Sequence, residues 1–448
     1  MFAPRLALAD GELTARPTLY FLDSHFSADD FDLGANLELY GRTPEFGRGF
    51  SVEALISAEA YESWTNETPA GGVEPAPRFN DFDNSSFARL NWRPDGWDKI
   101  EGLSLTLLPF HSDRLYLGFE FPLVDQLGAP QGDVSTGLEL RLTRKNWYVF
   151  AAAKHYEAFG DSEVSLLGGG GVDLFDALQI EVQGAHVPDE GMTVVTVPGF
   201  AVTTAETWEA AGRVRYHRGL PIGAPTDFAR YASAPARFQE LLAPETYDDA
   251  LSFTVGAEVL VQSTSGLRPV GVTPFGGLAD QSFSESGATA AVEARAKWRT
   301  TRADLRLQEQ SATAALLDYG AYTSVSPSAT TDNGLSATLT VDHHFQVTGL
   351  TPGILAELIS PAAFAPNSGI WPAGVFPATW TELSSQGLVL LPHNQTPSTI
   401  WRVGGSLRWD IWHFSMLAEA SWIHDPNREG FSELDHSAQL GVMVQGRF

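Results

Sequence analysis

The sequence predicts an all-β protein, a transmembrane antiparallel β-barrel of about 18 strands built as one domain over residues 10–448. Three observations carry that expectation. Apolar and polar residues alternate with period two through nearly the whole chain, connections alternate between tight and long, and tryptophans gather at the ends of the alternating segments.

In 50–61, Phe50, Val52, Ala54, Ile56, Ala58 and Ala60 form one row, with Glu53 and Glu59 in the other. In 251–262 the apolar row runs from Leu251 to Val261, and in 288–299 from Ala288 to Trp298, with Glu293, Arg295, Lys297 and Arg299 opposite. Segments 401–409 and 412–422 repeat the pattern, whereas 10–30 and 347–360 are ambiguous. Each row is roughly 10 to 12 residues long, the length a tilted strand needs to cross a bilayer, while soluble strands usually end near about six. That difference disfavours a soluble sandwich.

Tight connections are expected at 144–146, 174–177, 300–301 and 410–411, and long ones at 189–204, 264–284, 361–397 and 425–434. Residues 218–249, with helix-like "APARFQELLAPE", are too long for the side on which they fall. Trp64, Trp92, Trp97, Trp147, Trp298, Trp401, Trp409, Trp412 and Trp422 lie at strand ends or beside turns, where amphipathic indoles mark the two membrane interfaces.

Composition narrows the alternatives. The longest charge-free stretch, 358–381, contains Pro361, Pro366, Pro372 and Pro377, so it cannot be a membrane helix. Cysteine is absent, which excludes disulfides and thiolate metal sites. The net charge of −27 disfavours nucleic acid or an anionic bilayer surface as a partner. Acidic runs at 27–32, 79–83 and 245–249 read as solvated loops, or as cation bridges to lipopolysaccharide or a partner. Residues 1–9 are set apart as the remnant of a targeting segment or an expression start, because Ala7-Leu8-Ala9 has the spacing of a secretory cleavage site without the apolar stretch before it.

The chain ends in an alternating strand, Ala438, Leu440, Val442, Val444, Gly446 and Phe448 on one face. Such a strand, closing on phenylalanine, resembles the C-terminal signature of bacterial outer-membrane β-barrel proteins. The resemblance implies short periplasmic turns and long extracellular loops. It also implies a location among outer-membrane lipid and lipopolysaccharide, with Phe448 read by the barrel-assembly machinery.

In a barrel, alternate residues face the lumen. The inner rows then carry Arg213, Arg215 and His217, Glu293, Arg295, Lys297 and Arg299, Arg302, Asp304 and Arg306, and also Arg141, Arg402 and Arg408. Arginine forks can grip a passing carboxylate or phosphate, or can be satisfied by acids across the strands. Enzyme signatures are weak: no Gly-x-Ser-x-Gly elbow or phosphate-binding loop occurs, and His343 and His344 point to opposite strand faces. No cofactor or metal is expected. "GGGG" at 168–171 lets a strand bend or a bulky neighbour intrude.

The stretch 358–392 is nearly uncharged and carries Phe364, Trp371, Phe376 and Trp380. It is expected to fold inward as a plug, to pack on other loops, or to dock on an envelope protein. The leading expectation is a porin-like channel for passive diffusion of small hydrophilic or anionic solutes through an arginine-lined lumen. The alternatives are a closed structural or assembly barrel whose apolar loops bind a partner, and a hydrolase sited at the rim.

Overall fold

The computed structural model describes residues 11–23, 31–64, 78–82, 86–109, 115, 136–158, 161–175, 177–196, 199–227, 241–272, 278–311, 314, 330–360, 362–364, 388–390, 398–426 and 436–448. Residues 1–9 lie outside them, as do Trp371, Phe376 and Trp380.

The strands, in chain order, are β1 (Glu12–Asp23), β2 (Phe31–Arg42), β3 (Phe50–Trp64), β4 (Arg78–Phe82), β5 (Phe87–Trp92), β6 (Gly102–Leu108) and β7 (Thr136–Arg144). There follow β8 (Trp147–Ala158), β9 (Asp161–Leu174), β10 (Leu178–Thr196), β11 (Gly199–Arg218), β12 (Asp248–Val272), β13 (Leu278–Arg299) and β14 (Thr301–Gln310). The remainder are β15 (Thr330–Asp332), β16 (Gly334–His343), β17 (Leu350–Ser360), β18 (Ala362–Phe364), β19 (Leu388–Leu390), β20 (Ile400–Ile411), β21 (Phe414–His424) and β22 (His436–Gly446).

All but β15, β18 and β19 belong to one antiparallel sheet, and β4 and β5 are two pieces of a single strand that pairs along β3. The result is a closed barrel of 18 strands. Closure runs between β1 and β22, with Thr18 opposite Gln445 and Asp23 opposite Leu440. Beyond the last ladder residue, Phe448 and Ala15 exchange both backbone hydrogen bonds at 2.9 Å. The ambiguous segments near 10–30 and 347–360 resolve as β1 and β17.

The alternation is realised inside out. Leu19, Ile56 and Ile354 on the outer wall are 60%, 61% and 66% exposed, while Lys154, Glu181 and Lys297 on the inner wall are 1%, 5% and 1% exposed. A soluble fold would reverse this, so the outer face is built to meet lipid. Trp298, Trp409 and Trp412 stand exposed at the short-turn end.

Two expected connections are in fact strand. Residues 189–196 and 199–204 extend the β10–β11 hairpin, and 264–272 and 278–284 extend β12–β13. Their Ser, Thr, Gly and acidic content hides any period-two signal, because no apolar row is required where a hairpin stands clear of the bilayer. The turn expected at 410–411 falls at Trp412 and His413.

The described parts of the 361–397 region pair with one another outside the barrel sheet. Ala362–Phe364 lies antiparallel to Thr330–Asp332 and parallel to Leu388–Leu390. Phe364 therefore belongs by its backbone to a small sheet joining two long connections.

One connection at the short-turn end does not turn back at once. After Arg218 the chain enters the lumen, and residues 219–227 and 241–247 lie against the inner wall. Leu241 and Leu242 pack with Leu417 of β21, Met443 of β22 and Tyr20 of β1. In the strand order β1 lies opposite β11, so this segment spans the bore.

Candidate functional site

Charged groups face the lumen in three patches, each built by register. On the first wall, Glu181 of β10 is opposite Arg213 of β11, and Arg213 Nε donates to its carboxylate at 2.7 Å. Tyr148 of β8 donates its hydroxyl proton to the same carboxylate at 2.5 Å, and the Arg141 guanidinium lies 4.1 Å over the Tyr148 ring. The glycine run makes this possible: a Cβ on Gly171 would sit 2.7 Å from the Tyr148 ring and 2.8 Å from Glu181 Cγ. Arg215 donates to the Gln179 side chain at 2.7 Å.

The second patch lies on β13, β14 and β16. Arg295 bridges Asp304 and Glu293, each at 2.9 Å, and Arg302 grips Asp342 with Nε at 2.9 Å and Nη2 at 2.6 Å. Arg306 donates to Gln308. Lys297 is buried and donates to the backbone oxygens of Pro221 at 2.6 Å and Thr246 at 2.7 Å, and to the Glu245 carboxylate. Glu245 also accepts from Arg302 Nη1 at 2.9 Å and from the Gly223 amide at 2.7 Å.

On the third wall, Arg402 of β20 donates to Asp227 at 2.7 Å and pairs with Glu357 of β17 at 2.9 Å. Lower on β20, Arg408 donates to the carbonyls of Leu241, Leu242 and Ala243 at 3.1, 3.2 and 2.9 Å. These two arginines stand six positions apart, about 20 Å along the strand, so the inserted segment is held at two heights.

Leu55, Phe87, Leu108, Leu167, Val187 and Leu260 form a buried cluster that Leu115, from the β6–β7 connection, joins.

No family model matches the chain, and no curated protein sequence matches it. Solved structures do. Acinetobacter baumannii OccAB1 aligns with a TM-score of 0.54 at 9% identity, covering 98% of this chain and 96% of that one. Pseudomonas aeruginosa OccK2 (OpdF), solved in complex with glucuronate, aligns with a TM-score of 0.51 at 11% identity over 98% of both chains. The fold is that of the 18-stranded outer-membrane porins. OccK8 (OprE) of Pseudomonas aeruginosa gives the same TM-score of 0.51 at 8% identity over 98% of both chains.

Among the residues expected in the lumen, Arg141, Arg213, Arg215, Glu293, Arg295, Lys297, Arg302, Asp304, Arg306, Arg402 and Arg408 project inward. Arg299 does not. It closes the turn into β14 in a left-handed conformation (φ 54°), lies 5.0 Å over the Trp298 ring, and its side chain is 63% exposed. The alternation ends one residue earlier than the pattern suggests, because the chain must reverse there.

The expected plug residues Trp371, Phe376 and Trp380 lie outside the described residues. Among the described residues, 219–227 and 241–247 fold inward and engage Lys297, Arg302, Arg402 and Arg408, four of the cations expected to line an open passage. Their acids, Asp227 and Glu245, were hidden in the sequence: Glu245 opens a run that reads as a solvated loop. The available signal was the excess length of 218–249.

The adjacent histidines separate as expected. His343 bonds Thr301 at 2.9 Å and meets Phe345 edge-on, whereas His344 faces inward, bonds Thr351 at 2.8 Å and stacks on Tyr247 at 4.8 Å. Burial pushes the His344 pKa below the usual imidazole range. Among the described residues no cluster of three metal-binding side chains occurs.

Proposed function

We propose that the protein is an outer-membrane channel for passive diffusion of small hydrophilic anions, carboxylates foremost. The observation that carries this reading is the row of inward arginines, Arg141, Arg213, Arg215, Arg295 and Arg306, on a wall whose outer face is apolar. Planar guanidinium forks present paired donors to a carboxylate, and acids placed beside them hold the forks in position. OccK2, which shares the fold, was solved with glucuronate, a hydrophilic carboxylate. The net charge of −27 works against anion capture at a distance, so selectivity is assigned to the lumen rather than to the protein as a whole.

The test is single-channel recording of the refolded protein in a planar bilayer under a salt gradient. Openings whose reversal potential favours anions are expected. A second reading, a closed barrel that binds an envelope partner, is favoured by the segment spanning the bore. A folded barrel that stays silent under every condition would support it and reject the channel.

A further inference from the structure

The seam between the first and last strands brings two like charges together. Phe448 pairs with Ala15 through both backbone hydrogen bonds, and Gln445 pairs with Thr18, so Arg447 stands directly opposite Arg16. Both share the inward face with the buried Thr18 and Gln445. Like charges directly opposite in an antiparallel pair repel, at a Cβ separation of about 5 Å. Arg447 donates through Nε to Gln445 at 3.1 Å, while its Nη2 is buried without a hydrogen-bond partner, and no acid pairs with it among the described residues. The acids at hand are engaged. Glu38 serves Arg16 at 3.9 Å, and Asp410 accepts from Arg408 at 2.9 and 3.0 Å and from Ser415 at 2.6 Å. Three guanidiniums, Arg16, Arg408 and Arg447, therefore share two carboxylates. Elsewhere on the inner wall Arg213, Arg302 and Arg402 each meet a buried acid of their own. A chain with 55 acidic residues has left this one place uncompensated.

We propose that Arg16 and Arg447 form an anion site at this seam, filled by a free oxyanion of the phosphate class that bridges β1 and β22. Such an anion offers several acceptor oxygens to two guanidinium forks, and its charge cancels the repulsion between them. The Arg16 side chain is 48% exposed and Arg447 is partly buried beside it, so the pair can be reached from the lumen. The row faces the lumen rather than lipid, so the ligand comes from solution and not from a bilayer headgroup. The two forks meet only when β1 and β22 are paired. The anion therefore binds the folded barrel and not the separated strands, and it stabilises the seam by mass action. The proposal is independent of whether the barrel conducts anions.

The experiment is denaturant unfolding of the full refolded chain in uncharged micelles, followed by tryptophan fluorescence, with inorganic phosphate titrated at constant ionic strength. Assembly is checked by heat-modifiable electrophoretic mobility. The folded-to-unfolded ratio is expected to rise saturably, by about tenfold once phosphate exceeds its Kd about tenfold. R16Q and R447Q each keep a polar side chain and lose one fork. Both are expected to lose the response to phosphate, yet to be at least as stable as wild type in phosphate-free buffer, because the repulsion is gone. An arginine that served packing alone would leave its variant less stable with the phosphate response intact, and that result overturns the site. So does a flat wild-type titration. A rise that never saturates is the general effect of an excluded salt and also overturns it, even where neither variant assembles. Phosphatidylglycerol in the micelles, without free phosphate, is expected to change nothing. Stabilisation by that lipid alone would overturn the lumenal placement.

Discussion

Arg402 and Asp227 meet at 2.7 Å although 175 residues separate them in the chain. One lies on a barrel strand and the other on the segment that crosses the bore, and Glu357 holds the second side of the same guanidinium at 2.9 Å. The pair converts a long connection into part of the lumen.

Truncating that arginine takes the cation from the buried Asp227 carboxylate and from the half-buried Glu357. Arg402→Ala is expected to destabilise the packed segment by about 3 kcal/mol, and to expose it to protease added at the short-turn side. Limited proteolysis with mass mapping between residues 219 and 247 checks this, and unchanged cleavage would refute it.

The proposed channel assigns selectivity to the charges on the opposite wall. Replacing Arg141 and Arg215 together by glutamine removes two cations from the proposed path while sparing the contacts that Asp227 and Glu245 make. The anion-to-cation permeability ratio is expected to fall by roughly twofold or more, since fixed charges at a constriction act at close range. Reversal potentials under a salt gradient measure it.

Gly171 is a steric requirement of the Tyr148–Glu181–Arg213 cluster. A valine there would place its Cβ 2.7 Å from the tyrosine ring. Gly171→Val is expected to cost about 2 kcal/mol in denaturant unfolding from micelles, the scale of overpacking a filled site. A neutral result would mean that the ring has somewhere else to go.

His344 should make stability depend on acidity. Burial lowers its pKa in the folded protein, with Asp410, Arg408, Arg302 and Asp342 as the charged groups around it. The unfolded chain therefore takes up a proton first as pH falls, near the ordinary imidazole value of about 6.5. The neutral ring is the form that the fold favours. Its stabilising contribution is complete above the unfolded value and is lost progressively below it, down to the folded value. His344→Phe keeps a ring to stack on Tyr247 and removes the proton. The loss of stability between about pH 7.5 and 5.5 should be smaller in the variant than in wild type, and equal losses would exclude this origin.

At the seam, the backbone of Phe448 completes the β1–β22 closure through Ala15, and its ring meets Phe414 edge-on at 5.6 Å. Deleting Phe448 removes two backbone hydrogen bonds and one aromatic contact, about 2 kcal/mol together. The folded fraction after refolding should drop in spontaneous assembly. It should drop further where barrel-assembly machinery is present, if the residue is also read as a signal.

Strand identity was legible because the bilayer imposes a residue-by-residue rule. Val52, Val255, Val292 and Leu407 had to alternate with polar neighbours wherever a strand crosses lipid, and that period survives in one dimension. The hairpin extensions at 189–204 and 264–284 were illegible for the same reason, since outside the bilayer no such rule operates. Arg299 was misplaced because alternation does not announce where a turn begins.

The sequence by itself determined the architecture, the inward sense of Arg213, Arg295 and Arg402, and the anomalous length of 218–249. Only the tertiary structure decided which acid meets which cation. The pairing of Asp227 with Arg402, and of Glu245 with Lys297 and Arg302, depends on closing the sheet so that opposite walls face one bore. Closure is a property of all the strands together, and no local pattern encodes the distance across it.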